Sequence, residues 1–327
     1  MNLQNKAIIA LEIAKARILK LKIPVILSWA ATYRCNQQCL YCRLPEIDSG
    51  EMSTKQAKIM IDKLHKLGMK MINITGGEAL LRPDIFDLID YLKYKRIYVC
   101  LNSNGILVPA GINRLKALDL LNLSIEGPQA AHDSIRGKGA YDTVINAAEA
   151  ALKSGIKVKF TTTLNKYNIN CLDYVIELTH KFNIKVIFQI LDVYMLGTVS
   201  ENPLNINPGQ VHKALSRIIF FKKQSKYRKT IDNSFLLLKY LMFWPDLPRL
   251  ECASGNIVFR ITPTGVLFPC AKATYEKLKM SNYSINLLTQ DLEQIKTVFN
   301  SFCYPGKECT CACSNRLVAN LVWNLKI

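Results

Sequence analysis

IPVILSWAATYRCNQQCLYC, residues 23–42, runs without a charge from Ile23 to Tyr33 and then places three cysteines within eight positions. A run that is apolar at consecutive positions suits a strand buried on both faces, and such strands belong to parallel sheets covered by helices. The cysteines follow where that strand must end. In α/β folds the active site lies outside the carboxyl ends of the strands, so this segment sets both the fold class and the place to look for chemistry.

The rhythm continues outward. Strand-like runs at 23–32, 70–75, 97–103, 118–125, 156–164 and 184–191 alternate with helical stretches near 53–68, 83–95, 110–117, 140–154 and 169–182. Six such units predict an α/β fold, a partial (β/α)6 barrel in preference to a flat doubly wound sheet, although periodicity alone does not separate the two. After residue 191 the rhythm stops. Residues 198–208 are rich in Asn and Pro, 209–243 read as helices, and 251–327 are rich in cysteine. The expected organisation is an N-terminal helix (1–22), a β/α core (23–197), a helical linker (198–250) and a small C-terminal domain containing a β-hairpin (251–327).

Residues 3–22 read as a basic amphipathic helix, with Ile8, Leu11, Ile18 and Leu21 at helical spacing beside Lys6, Lys15, Arg17, Lys20 and Lys22. Such a face packs on the barrel or lies on an anionic membrane surface. Glu12, Lys15 and Arg17 interrupt any signal-peptide core, and the apolar run at 234–244 is too short to span a bilayer. The eleven cysteines form clusters, not a disulfide framework. A cytoplasmic, reducing setting is expected, where clustered cysteines mean metal or redox chemistry. The net charge of +18 is spread along the chain, so no nucleic-acid partner is expected from it.

Cys35, Cys39 and Cys42 stand as C-x3-C-x2-C with no nearby His or fourth Cys. Thiolates suit iron–sulfur clusters and zinc, but structural zinc takes four protein ligands. Three leave a coordination position open. The segment, with Tyr41 before the third cysteine, resembles the signature of the radical S-adenosylmethionine (SAM) superfamily. That resemblance implies a [4Fe-4S] cluster on Cys35, Cys39 and Cys42, with SAM chelating the open iron. ITGGEALLRPDI (74–85) resembles the family's GGE motif: Gly76 and Gly77 permit close backbone approach, and Glu78 would accept from the SAM ammonium. LNSNGI (101–106) resembles the third-strand motif and carries Asn104. LSIEGPQAAHDSIRG (123–137) resembles a further motif in which Glu126 stands where Asp is usual, with Ser124 as the neighbouring polar candidate. His132 and Arg136 read as loop-ordering residues. Asn165 and Gln189 are expected at the same barrel mouth, either on the cofactor or in strand-end hydrogen bonds. No residue is singled out as catalytic.

CASGNIVFRITPTGVLFPC (252–270) predicts two short strands meeting at TPTG. It resembles the opening of the SPASM or twitch extensions of the same superfamily, and Cys303, Cys309 and Cys313 fit the last three positions of the SPASM pattern. With six thiols in this region, the resemblance implies one auxiliary [4Fe-4S] cluster on Cys252, Cys270, Cys309 and Cys313, with Cys303 and Cys311 as alternates and structural zinc as the competing reading. Cys100 and Cys171 read as small core residues.

The resemblance implies reductive cleavage of SAM to a 5'-deoxyadenosyl radical, fed by an external electron donor of flavodoxin or ferredoxin type. The radical would abstract hydrogen from a substrate C–H bond in peptide or natural-product modification, a peptide being recognised with or without a separate leader-binding protein. The alternative is a small molecule such as a sugar, tetrapyrrole or lipid precursor, and a non-catalytic iron–sulfur or zinc protein is the third reading.

Overall fold

The computed structural model describes residues 3–198, 200–248, 251–270, 284–301 and Trp323. Six strands, β1 (Ile26–Thr32), β2 (Met71–Gly76), β3 (Tyr98–Ser103), β4 (Leu120–Ser124), β5 (Val158–Leu164) and β6 (Lys185–Ile190), pair in parallel in sequential order. Helix α1 (Leu3–Ile18) precedes them. The crossovers are α2 (Thr54–Lys66), α3 (Ile85–Tyr94), α4 (Val108–Leu115), the pair α5 (Gln129–Arg136) and α6 (Ala140–Lys153), and α7 (Leu172–Lys181). Helices α8 (Pro208–Lys223) and α9 (Phe235–Leu241) follow β6. The expected mixed α/β, partial-barrel architecture is what forms. Sequence chemistry sets the helix starts: Ser53 and Gln56 close a capping box on α2, and Asn207 and Gln210 close another on α8, with Pro208 in the first turn.

Three features depart from the sequence reading. The strands are apolar throughout only on the face that meets the helices. Leu27, Trp29, Ile72, Ile74, Val99, Leu101, Leu123, Phe160 and Phe188 join Met60, Ile61, Leu64, Leu88 and Val144 of the helices in one core, each fully buried side chain contributing ~1.5–3 kcal/mol. The alternate residues, among them Ser28, Asn73, Asn102, Asn122, Thr161 and Gln189, are half-buried on the inner face, which is polar above an apolar floor that includes Ile26 and Met71.

The second departure concerns the C-terminal hairpin, β7 (Val258–Ile261) and β8 (Val266–Phe268), which does not stand apart. β7 pairs in parallel with β1, and β8 pairs antiparallel with β7 and with β9 (Ile285–Asn286), so among the described residues one sheet runs β6-β5-β4-β3-β2-β1-β7-β8-β9. Helix α10 (Leu292–Ser301) follows. Gly265 supplies the turn with φ +82, and the carbonyl of Pro263 accepts from Met52 N at 2.9 Å. The hairpin is thereby tied to the segment that follows the cysteine loop.

Helix α1 corrects the expected face. Ile9, Ile13 and Ala16 pack with Val25, Ala253, Ile257 and Trp323 and close the amino-terminal end of the sheet. Ile8, Leu11, Ile18 and Leu21 are the exposed residues, Leu11 at 74% and Ile18 at 77%. Two apolar stripes share the helix, and spacing alone does not say which one meets the core. Among the described residues no helix is long and apolar enough to cross a membrane.

Candidate active site at the carboxyl ends of the strands

β1 ends at Thr32, and the chain then turns across the ends of its neighbours. Gly77 N donates to Thr32 O at 2.9 Å, and Glu78 N donates to Arg34 O at 2.8 Å. A Cβ on Gly76 would lie 2.0 Å from Thr32 O, and one on Gly77 would lie 2.2 Å from Arg34 O. The two glycines therefore let the end of β2 zip onto the entrance of the cysteine loop, which is a closer approach than any side chain allows. Arg82, from the same motif, bolts this junction from below. It is buried, pairs with Asp84, donates to Ala31 O and Met52 O, and lies over the Trp29 ring.

The loop is gripped on its other sides too. Leu40 N donates to Ile135 O of α5, and Tyr41 and Arg43 exchange backbone bonds with Leu196. The Asn104 amide reaches Asn36 Oδ1 at 2.7 Å and Cys35 Sγ at 4.0 Å. Arg136 Nη1 reaches Cys39 Sγ at 3.9 Å. Burial raises the pKa of all three thiols, that of Cys42 to about 11, and Cys42 feels both neighbouring thiols. They are held protonated until a cation displaces the protons.

Glu78 is fully buried. Its Oε1 accepts from Leu80 N at 3.1 Å, and its Oε2 accepts from Asn104 N at 2.8 Å and from the Ser103 hydroxyl at 3.1 Å. Burial nevertheless lifts its pKa. These bonds aim the carboxylate at the rim and leave about one of its four lone-pair positions for a further donor. Ser103 was not anticipated; its position at the end of β3, next to Asn104, was the available signal.

Glu126 is spent differently. Its Oε1 accepts from Arg136 Nε and Nη2 at 3.0 and 2.7 Å and from the Tyr41 hydroxyl at 3.1 Å, while its Oε2 accepts from Thr163 N at 3.2 Å. Arg136 also donates to the Tyr41 hydroxyl and lies over that ring. This buried network ties the cysteine loop to β4, β5 and α5. His132 Nδ1 accepts from Glu126 N at 3.0 Å, and burial, reinforced by Arg136, lowers the His132 pKa to about 3, so the ring stays neutral and able to accept. His132 and Arg136 order the loop as expected, but Arg136 does so at the thiol itself.

The remaining candidates lie around the same rim. Ser124 ends β4, half-buried. Asn165, just past β5, is fully buried, with its amide on Thr163 O and its oxygen on Tyr167 N, the strand-end alternative. Gln189 donates to the Thr163 hydroxyl at 3.0 Å. Cys100 is buried on the inner face of β3, and Cys171 caps α7. Cys252 is half-buried and Cys270 buried after β8; Cys303, Cys309, Cys311 and Cys313 lie outside the described residues.

The donors fit a cluster better than a lone ion. Among the described residues no group of three Cys, His, Asp or Glu side chains converges on a single metal ion, whereas three soft thiols that sense one another beside a buried guanidinium suit a larger, negatively charged cluster.

Residues 29–179 match the sequence model of the radical SAM superfamily. The chain carries a radical SAM domain. It is 29% identical to mycofactocin maturase MftC of Mycobacterium tuberculosis (strain CDC 1551 / Oshkosh) over 80% of this chain and 68% of that protein. It is also 28% identical to the AdoMet-dependent heme synthase of Methanosarcina barkeri over 62% of this chain and 60% of that one. Streptococcus suis SuiB, solved bound to precursor peptide SuiA, superposes with a TM-score of 0.69 at 15% identity, covering 95% of this chain and 75% of SuiB, and so shares the fold. These relatives fit the SPASM/twitch subgroup read from the sequence. The radical SAM family uses a [4Fe-4S] cluster and SAM, and the three-thiol loop, GGE segment and strand-end residues all lie on or beside the matched domain.

Proposed function

We propose that this radical SAM enzyme modifies a peptide by abstracting hydrogen from one of its C–H bonds. The observation that carries the reading is the three-thiol loop, clamped by Gly77 and Glu78 onto the end of β2 and braced by Arg136. When bound, a [4Fe-4S] cluster and SAM supply a 5'-deoxyadenosyl radical. In our reading Cys35, Cys39 and Cys42 would hold the cluster and the carboxylate of Glu78 would receive the SAM ammonium, while Asn104 and Arg136 steady two of the thiols from outside. Tyr41 and Glu126 serve that bracing. Ser124, with Gln189 beyond it, presents polar atoms along the rim where the ribose would lie. Likeness to MftC over 80% of the chain and the SuiB fold support a peptide over the small-molecule alternative.

An auxiliary [4Fe-4S] cluster on Cys252, Cys270, Cys309 and Cys313 would accept an electron or shape the pocket. A flavodoxin- or ferredoxin-type donor would reduce the enzyme, and a separate leader-binding protein would deliver the peptide. A cytoplasmic setting agrees with the free thiols of Cys35, Cys39, Cys42, Cys100 and Cys171. The outer face of α1, with Leu11 and Ile18 beside Lys15 and Lys20, suits peripheral contact with an anionic membrane.

The test uses reconstituted, reduced enzyme with SAM and small peptides encoded beside its gene. A mass change in one peptide with matching 5'-deoxyadenosine is expected. Turnover of a sugar or tetrapyrrole with the peptides untouched overturns the peptide reading, and no 5'-deoxyadenosine with any substrate overturns the radical reading.

A further inference from the structure

Below the rim, the inner face of the sheet carries a second set of polar groups. Arg260 of β7 pairs in register with Ser28 of β1, Ser28 with Asn73 of β2, and Asn73 with Cys100 of β3. Beneath this row Val258, Ile26 and Met71 pack with Ile9, Ile13 and Trp323 as an apolar floor. Above it Asn122 donates to Asn102 Oδ1 at 2.9 Å, and Asn102 donates to the Thr75 hydroxyl at 3.5 Å. That relay leaves Asn122 Oδ1 without a donor.

Three groups here are buried and unsatisfied: Asn73 Oδ1, Asn122 Oδ1 and Arg260 Nε. Among the described residues no carboxylate pairs with Arg260. Buried polar atoms are nearly always hydrogen-bonded, and leaving one unmade costs more than the bond returns. Arg260 is half-buried as a whole, and its guanidinium stays charged with no acceptor on the buried Nε. Orphans that share one face within a few strand spacings, roughly 5 Å each, are explained together if a ligand completes them.

The chemistry of the set selects that ligand. A guanidinium fork matches a carboxylate, and two amide oxygens call for N–H donors. We propose that this row, with Asn122 above it, is a substrate subsite in which Arg260 holds a carboxylate while Asn73 and Asn122 accept N–H groups of the same molecule. A peptide carries both. The proposal deepens the peptide reading and rests on it for the identity of the ligand. Ser28 lies four residues before Thr32, so the anchor sits roughly 13 Å below the rim. A substrate anchored there extends upward past Asn102 and Asn122 toward the thiol loop. Arg260 belongs to the hairpin, so the C-terminal region would contribute to specificity through the core sheet itself. The carboxylate has two sources, the chain terminus or an acidic side chain.

The full reconstituted enzyme is titrated calorimetrically with three probes: N-acetyl-alanyl-alanine, its C-terminal amide, and N-acetyl-aspartic acid α-amide. At least one acid should bind about 10- to 100-fold more tightly than the amide, the range for a charge-assisted pair. Arg260→Gln should bring the acids to the amide level, Arg260→Lys should keep part of the preference, and Asn73→Ala should weaken all three probes in the same order. The tighter acid identifies the source. Equal binding of acids and amide by the wild type, or a full preference surviving Arg260→Gln, overturns the subsite. 5'-Deoxyadenosine is measured in the same samples: its absence with the preference intact refutes the radical reading and leaves the subsite standing.

Discussion

Replacing Arg136 with Met tests the bracing of the cysteine loop. Arg136 and Glu126 are 9% and 0% exposed, with Nη2 and Oε1 2.7 Å apart. The substitution fills the space but leaves the Glu126 carboxylate with only the Tyr41 hydroxyl and Thr163 N–H as donors. Removing one partner of a buried pair costs ~3–5 kcal/mol, because the other charge stays uncompensated. At ~2–4 °C per kcal/mol for a chain of this size, the melting midpoint should fall by roughly 6–20 °C. Glu126→Gln should act in the same direction. The double variant Arg136→Met/Glu126→Gln should lose at least ~2 kcal/mol less than the sum of the singles, since neither charge is then stranded. The assay is anaerobic thermal and urea unfolding of the iron-free chain, so that cluster binding adds nothing to stability. Strict additivity, or single variants within ~1 kcal/mol of wild type, would refute the network as a brace.

Gly77→Ala places a Cβ 2.2 Å from Arg34 O and 2.6 Å from Tyr33 O, so the loop must shift; iron bound at the three-thiol loop should fall severalfold while circular dichroism keeps its helical signal. The His132 pKa is lowered from 6.5 to about 3, by burial first and Arg136 second. Below pH 6.5 the unfolded chain therefore takes up a proton that the folded chain refuses, and stability drops as pH falls from 6.5 toward 3. Unfolding titrations of His132→Asn, which retains an acceptor, should show a shallower decline than wild type over that window. On α1, Ile13→Ala should cost ~2–4 kcal/mol and Ile18→Ala less than ~0.5 by urea unfolding, whereas Ile18→Glu should reduce sedimentation with anionic vesicles.

The β/α alternation was legible because strand and helix patterns are local, and observed strand limits fall within a few residues of those expected from 23–32 through 184–191. The thiol loop and GGE segment were legible as spacing. Other features depend on contacts between segments far apart in sequence. Helix α5 lies in a stretch read as a turn, since Pro128 and Gly137 flank only eight residues. The glycines of GGE face the backbone of Thr32, Tyr33 and Arg34, which spacing does not reveal. The buried stripe of α1 was misassigned because both of its stripes are apolar. Nothing local marks Arg260, whose orphaned Nε emerges only when β7 is seen beside β1.

Cys35, Cys39 and Cys42 are proposed to hold the cluster that cleaves SAM. The most direct test is 5'-deoxyadenosine formation by anaerobically reconstituted, dithionite-reduced enzyme, wild type against the triple Cys35→Ala/Cys39→Ala/Cys42→Ala variant, with iron counted in both. The wild type should form 5'-deoxyadenosine and the variant none, while the variant keeps about four irons at the auxiliary site. SAM cleavage that survives the triple substitution would show that other residues hold that cluster.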